Sequence, residues 1–191
     1  MSRERFTSMN YKERLHRVIP GGAHTYSRGD DQYPDNAPQI LMKGLGAEVW
    51  DPLGNRYVDY GMGLRAVTLG YGNEHVTRAA NKAAMEGNCL ARPSVTELHA
   101  AERLVEIIPN VEMIKFAKNG STVTSAAMKL ARAFTGRKYV AVCADHPFYS
   151  YDDWFIGSTV CARGVPEEIR SLTIQYRYND IGSLSELFDK F

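Results

Sequence analysis

The sequence predicts an α/β protein with a mainly parallel sheet. Three observations lead there. From residue 111 the chain runs strand, helix, strand, with apolar runs at Met113–Ala117, Tyr139–Cys143 and Leu172–Gln175 and an amphipathic helix between the first two. Two further helical patterns precede this region. Before them lies a cluster of short strand-like runs around a tight turn. The expected organisation is residues 1–72 as an N-terminal helix, a loop and short strands, and residues 73–191 as an α/β domain.

The elements follow in order. A helix is expected over 6–18, where Tyr11, Leu15 and Val18 recur at helical spacing, and Pro20-Gly21-Gly22 stops it. Residues 23–38 read as a long ordered loop, a class of segment that is often functional. Strands are expected at Gln39–Met42, Glu48–Asp51 and Arg56–Tyr60, with Asp51-Pro52-Leu53-Gly54-Asn55 as the turn before the third. Gly61, Gly63, Gly70 and Gly72 mark loops. Helices follow at His75–Gly87 and Val95–Ile108, the second opened by Ser94 with Glu97 three residues on, which is a capping box. Thr122–Phe134 places Val123, Ala126, Ala127, Leu130, Ala131 and Phe134 on one face, and Gly136 stops it. One more helix begins at Ser183.

Composition excludes several function classes. The chain has 191 residues, of which 44% are hydrophobic and 24% charged, so a packed core is affordable and disorder is not the default. A net charge of +1 and scattered basic residues argue against nucleic acid and membrane partners. No apolar run approaches the roughly 20 residues that span a bilayer, and the charged start is no signal peptide. Cys89, Cys143 and Cys161 fit neither a disulfide framework nor a metal site, and the expected location is cytoplasmic. The five histidines lack HxxxH or HExxH spacing, so no metal is expected.

Three stretches carry chemistry. At Asn119-Gly120-Ser121-Thr122 a strand-like run meets a helix start. Gly120 admits close approach to the backbone, and Ser121 and Thr122 add hydroxyls to the free N–H groups and positive dipole end of a helix, which suits a phosphate. The same residues also suit a plain helix cap at Asn119 or Ser121. The run Pro147-Phe148-Tyr149-Ser150-Tyr151-Asp152-Asp153-Trp154-Phe155 follows a predicted strand, on the side where open α/β sheets bind ligands; its aromatics suit either a flat cofactor or a packed loop. Arg28, in the 23–38 loop, can hold a carboxylate through two parallel hydrogen bonds or stay solvated.

Taken in order, IPGG, GAEVWDPLGNRYVDY, LGYGNEHV and NGSTVTSAAMKLARAFTGR resemble the class III aminotransferases, which depend on pyridoxal 5'-phosphate (PLP), and within them the glutamate-1-semialdehyde aminomutase branch. The resemblance covers nearly the whole chain. It implies the aspartate aminotransferase-like fold of PLP-dependent transferases (fold type I), with residues 1–72 carrying small-domain strands and residues 73–191 the first, truncated part of the large domain and its incomplete, mainly parallel sheet; it also implies a homodimer and a small amino or carbonyl substrate. The family's SGTE phosphate motif falls on Asn119-Gly120-Ser121-Thr122, which implies phosphate binding by Gly120 and Ser121 with Thr122 close by; Asn119 and Thr122 depart from the pattern, and the usual Glu is absent. The family's aromatic-His-Gly motif falls on Phe148-Tyr149-Ser150, which implies that Phe148 stacks on the cofactor ring beside Tyr149. Thr25 and Arg28 stand where the branch has a small hydroxyl residue and an Arg for the substrate carboxylate, and Leu64 stands where it has a Trp.

The lysine that carries the cofactor in this family has no match among Lys12, Lys43, Lys82, Lys115, Lys118, Lys129, Lys138 and Lys190. No catalytic residue is therefore assigned, and the expectation is an N-terminal part of an aminotransferase or aminomutase, inactive alone and paired with a second copy or with the remainder of the enzyme. The rival expectation is a non-catalytic binding or assembly protein derived from the same fold.

Overall fold

The computed structural model describes residues 10–145 and 150–191. The chain divides into two compact units, with the boundary between Arg92 and Pro93.

In the first unit, helix α1 spans Tyr11–Val18. It starts at Tyr11, later than the pattern predicts, because Asn10 is extended and caps it: the Asn10 side chain accepts from Glu13 N at 2.9 Å, and the Glu13 carboxylate accepts from Asn10 N at 3.2 Å. Residues 6–9 of the expected helix lie outside the described residues. Single 3₁₀ turns follow at Pro20–Gly22, Tyr26–Arg28 and Asp30–Gln32. Asp30 ties the last of these to α1, pairing with Lys12 Nζ at 2.6 Å and His16 Nε2 at 3.0 Å. The hydrogen bond from Lys12, then that from His16, hold the Asp30 carboxyl down at about 2.

Strands β1 (Lys43–Leu45), β2 (Glu48–Trp50) and β3 (Arg56–Val58) form an antiparallel sheet in that order. The first strand lies at 43–45, not at the predicted 39–42. The reason is register: Leu45 pairs with Glu48 across Gly46 and Ala47, so the tight turn fixes the paired residues next to it. Gly46 takes the left-handed φ of 59° that such a turn requires. Val49, at 5% exposure, is the buried centre of the sheet. Gly44 is obligatory here, because the Tyr71 ring lies 2.6 Å from where a Cβ would stand. The helical turn α2 (Met62–Arg65) and helix α3 (Glu74–Glu86) complete the unit, with Asn73 capping α3 through Val76 N at 3.2 Å.

In the second unit, helix α4 spans Val95–Ile107 and opens with the Ser94–Glu97 capping box that its sequence predicts. Helix α5 spans Gly120–Thr135 and ends on Gly136 at φ 69°, a left-handed cap. Strands β4 (Val140–Cys143) and β5 (Thr173–Tyr176) pair in parallel, Val140 opposite Thr173 through Cys143 opposite Tyr176. Between them come the turns α6 (Asp153–Ile156) and α7 (Glu167–Arg170). Helix α8 (Ile181–Lys190) is capped by Asp180, and Phe191 after it packs on Tyr139 with ring centroids 4.6 Å apart. Phe155, at 6% exposure, is the buried apolar side chain of this unit among the described residues.

A further expectation is corrected here. Met113–Ala117 forms no strand, because an extended segment becomes a strand only when a neighbour completes its ladder, and no described residue does so. The apolar face of α5 is present as predicted but uncovered, with Leu130 71% and Phe134 90% exposed.

Candidate functional site

The junction at Asn119 is built by local rules. Asn119 is extended (φ −155°, ψ 170°), and its side chain accepts from Thr122 N at 2.9 Å. The cap therefore takes one of the free donors of the first turn. Among the described residues nothing accepts from the Gly120 and Ser121 N–H groups. Thr124 Oγ1 donates back to Gly120 O at 2.9 Å and Ser121 O at 3.1 Å, so the carbonyl side of this turn is held from within the helix. The first turn of α5 carries no acidic side chain, which leaves its positive end without an internal counter-charge. Among the described residues, these two unmatched N–H groups, the Ser121 and Thr122 hydroxyls and the positive end of the helix form a donor set of the kind that suits a phosphate. The cap thus uses only the Thr122 donor, and among the described residues the Gly120 and Ser121 donors are left over.

Residues 150–154 bond to this helix. The Ser125 hydroxyl donates to Asp152 Oδ2, and Trp154 Nε1 donates to Ser125 Oγ at 2.8 Å. Ser150 is fully buried at 0% exposure; its hydroxyl accepts from Asp152 N at 3.2 Å and donates to Asp152 Oδ2 at 3.4 Å. Asp152 O in turn accepts from Phe155 N and Ile156 N, which starts α6. Sequence reading missed this network, since Ser125 and Asp152 are far apart in the chain and neither residue type signals the other. Phe148 and Tyr149, expected at the ring wall, lie outside the described residues.

Thr25 and Arg28 belong to the first unit, where they bracket one 3₁₀ turn: Arg28 N donates to Thr25 O at 2.9 Å. Both are exposed, and among the described residues no carboxylate pairs with Arg28. The Arg28 charge is felt at Tyr71, whose hydroxyl donates to Asp59 Oδ2 at 2.6 Å. That hydrogen bond holds the Tyr71 phenol above its ordinary pKa and the Asp59 carboxyl below its own. Asp59 also accepts from Gly61 N at 2.9 Å and Gly63 N at 3.1 Å. It thereby anchors a loop in which Met62, Leu64 and Arg65 all take positive φ, a conformation that L side chains adopt only when neighbours enforce it. Asp59 followed by Gly61 and Gly63 is an Asx-turn signal that sequence reading could have used. Among the described residues no group of His, Cys, Asp and Glu could hold a metal ion, and no helix is long and apolar enough to cross a membrane.

Comparison with known proteins fits this arrangement. The family model described as aminotransferase class-III matches residues 31–165, and the chain belongs to that family. It is 34% identical over 189 residues to a glutamate-1-semialdehyde 2,1-aminomutase of Aquifex aeolicus (strain VF5), covering 95% of this chain and 44% of the relative. It is 34% identical over 177 residues to an aminopentol aminotransferase of Sphingopyxis macrogoltabida, covering 93% and 41%. Among solved structures, the PLP internal aldimine form of the FumI protein of Sphingopyxis sp. MTA144 superposes with a TM-score of 0.83 at 34% identity, covering 94% of this chain and 42% of the other. The aminotransferase fold and the aminomutase likeness read from the residues are thus both supported. The chain spans less than half the length of the curated relatives it matches.

Proposed function

We propose that this chain forms the phosphate-holding part of a PLP-dependent aminotransferase or aminomutase acting on a small amino or carbonyl substrate. The observation that carries this reading is the α5 N-terminus: in a class III chain, its Gly120 and Ser121 N–H groups meet no acceptor among the described residues and its first turn holds no acid. Gly120 and Ser121 bind the phosphate through these N–H groups, and the Ser121 and Thr122 hydroxyls add further donors. When bound, PLP supplies an electron sink for bond changes at the amino-bearing carbon. Phe148 and Tyr149 wall the ring, and Thr25 and Arg28 orient a substrate carboxylate. The large α/β domain begins near residue 73 in this reading, the protein is cytoplasmic, and its partner is a second copy or the remainder of the same enzyme.

The phosphate claim is tested by titrating the chain with PLP and with pyridoxal, which has the same ring and no phosphate. The expected result is saturable binding of PLP, competed by inorganic phosphate, with pyridoxal weaker by about tenfold or more, the value of a charge-assisted pair of hydrogen bonds. Equal affinity for the two compounds would remove Gly120 and Ser121 from the assignment.

A further inference from the structure

We propose that Ser125 and Asp152 are positioning residues that lock the phosphate-facing turn of α5 to the loop that follows β4. This inference rests on the reading that α5 holds the phosphate of PLP. Three features carry it. Ser125 sits one turn beyond the Gly120–Ser121 donors on the same helix, and its hydroxyl is committed to Asp152 Oδ2. Asp152 is fixed in turn, because its carboxylate also accepts from Ser150, its N–H donates to the fully buried Ser150 hydroxyl, and its carbonyl starts α6. Trp154 closes the arrangement by donating its indole N–H to Ser125 Oγ. The Ser125 hydroxyl thus joins helix and loop through both of its roles, as donor to a carboxylate and as acceptor from an indole.

The consequence is specific. A ligand that is phosphate alone needs only the helix end, whereas PLP, with Phe148 and Tyr149 proposed at its ring, also depends on the segment that Ser150 and Asp152 continue. Removing the Ser125 hydroxyl leaves the Gly120 and Ser121 donors in place and frees the loop to shift relative to them. The loss therefore falls on PLP and not on inorganic phosphate. It also depends on the hydroxyl and not on side-chain volume, so Thr at 125 retains the function. Ser150 belongs to the same device: where the family's aromatic-His-Gly pattern has Gly, this chain places a hydroxyl that holds Asp152 in the orientation Ser125 needs.

The test compares Ser125→Ala, Ser125→Thr and Asp152→Asn with the unaltered full chain, measuring dissociation constants for PLP and for inorganic phosphate alongside the melting midpoint. The expected result is that Ser125→Ala weakens PLP by about tenfold, the scale of a hydrogen bond to a charged group, with phosphate affinity unchanged. Ser125→Thr restores PLP affinity, and Asp152→Asn, which keeps the shape and drops the charge, gives an intermediate loss. If Ser125→Ala does not fold, Asp152→Asn and Ser125→Thr carry the comparison alone. PLP affinity within twofold of the unaltered chain in both Ser125→Ala and Asp152→Asn overturns the proposal and leaves the phosphate assignment standing. An equal loss for PLP and phosphate also overturns it, since that marks general damage to the helix end. Absence of PLP binding by the unaltered chain overturns the functional reading, and the positioning role with it.

Discussion

Asp51 and Asn119 begin the same way and end differently. Each is a short side chain whose oxygen gathers a backbone N–H a few residues on. At Asp51 the gathering is complete: the carboxylate accepts from Leu53 N, Asn55 N, Asn55 Nδ2 and Tyr57 Oη, all between 2.8 and 3.0 Å. The side chain is buried, with both carboxylate oxygens bonded. At Asn119 the side chain takes Thr122 N alone, and among the described residues nothing takes the Gly120 and Ser121 donors. A saturated polar cluster holds a fold together, whereas an unsaturated one at a helix N-terminus is where an anion belongs. Both sequences are rich in turn-forming residues, so the count of unmatched donors, not residue type, separates structure from site.

Substitutions at the two places sharpen this contrast. The largest effect is expected at Gly120→Asp. Asp is well tolerated in a first helical turn, so the helix persists, while its charge and bulk meet the phosphate; PLP affinity falls by about a hundredfold in a binding titration. An unchanged affinity would break the contrast at its open end.

Asp51→Asn comes next and acts on stability only. The melting midpoint drops by roughly 5 °C as acceptor strength is lost, and PLP affinity stays the same. The pH dependence identifies the carboxylate. Hydrogen bonds, that from the Asn55 side chain largest, lower the Asp51 pKa in the folded chain. A depressed carboxyl pKa stabilises the fold above the unfolded value of about 4, and that contribution disappears as pH falls through the lower folded value. The unaltered chain therefore loses melting temperature below about pH 4 more steeply than Asp51→Asn does, as thermal scans across that range would show. Parallel acid profiles would show that the cluster is less complete than it looks.

A smaller effect is expected at Asn119→Ala. Loss of the cap lowers the stability of the second unit by about 1 kcal/mol in a denaturant titration. PLP affinity changes by less than about threefold, because Gly120 and Ser121 keep their donors and Thr122 N becomes a further one. The smallest is at Phe134→Ser. A side chain already 90% exposed contributes little burial, so the melting midpoint of the chain moves by less than about 1 °C.

Much of this was legible in the sequence where local rules govern. The Ser94–Glu97 capping box, the Gly136 stop and the Asp51 turn each follow from a few adjacent residues, and each appears as expected. Legibility failed where a partner decides. Met113–Ala117 has a strand's composition and no ladder neighbour, and the first small strand slid to 43–45 because the turn, not the apolar run, sets register. At the site, Gly120 and Ser121 were marked by glycine and hydroxyl chemistry next to a helix start. The Ser125–Asp152–Trp154 bonds were not, because only the fold brings those residues together.

The most direct measurement is to follow backbone amide resonances of the chain while PLP is added. The Gly120 and Ser121 N–H signals should shift progressively to saturation, because these donors have no acceptor among the described residues, while Leu53 and Asn55, whose N–H groups are already bonded to Asp51, stay where they are. Saturable PLP binding that leaves the Gly120 and Ser121 signals unmoved would contradict the account.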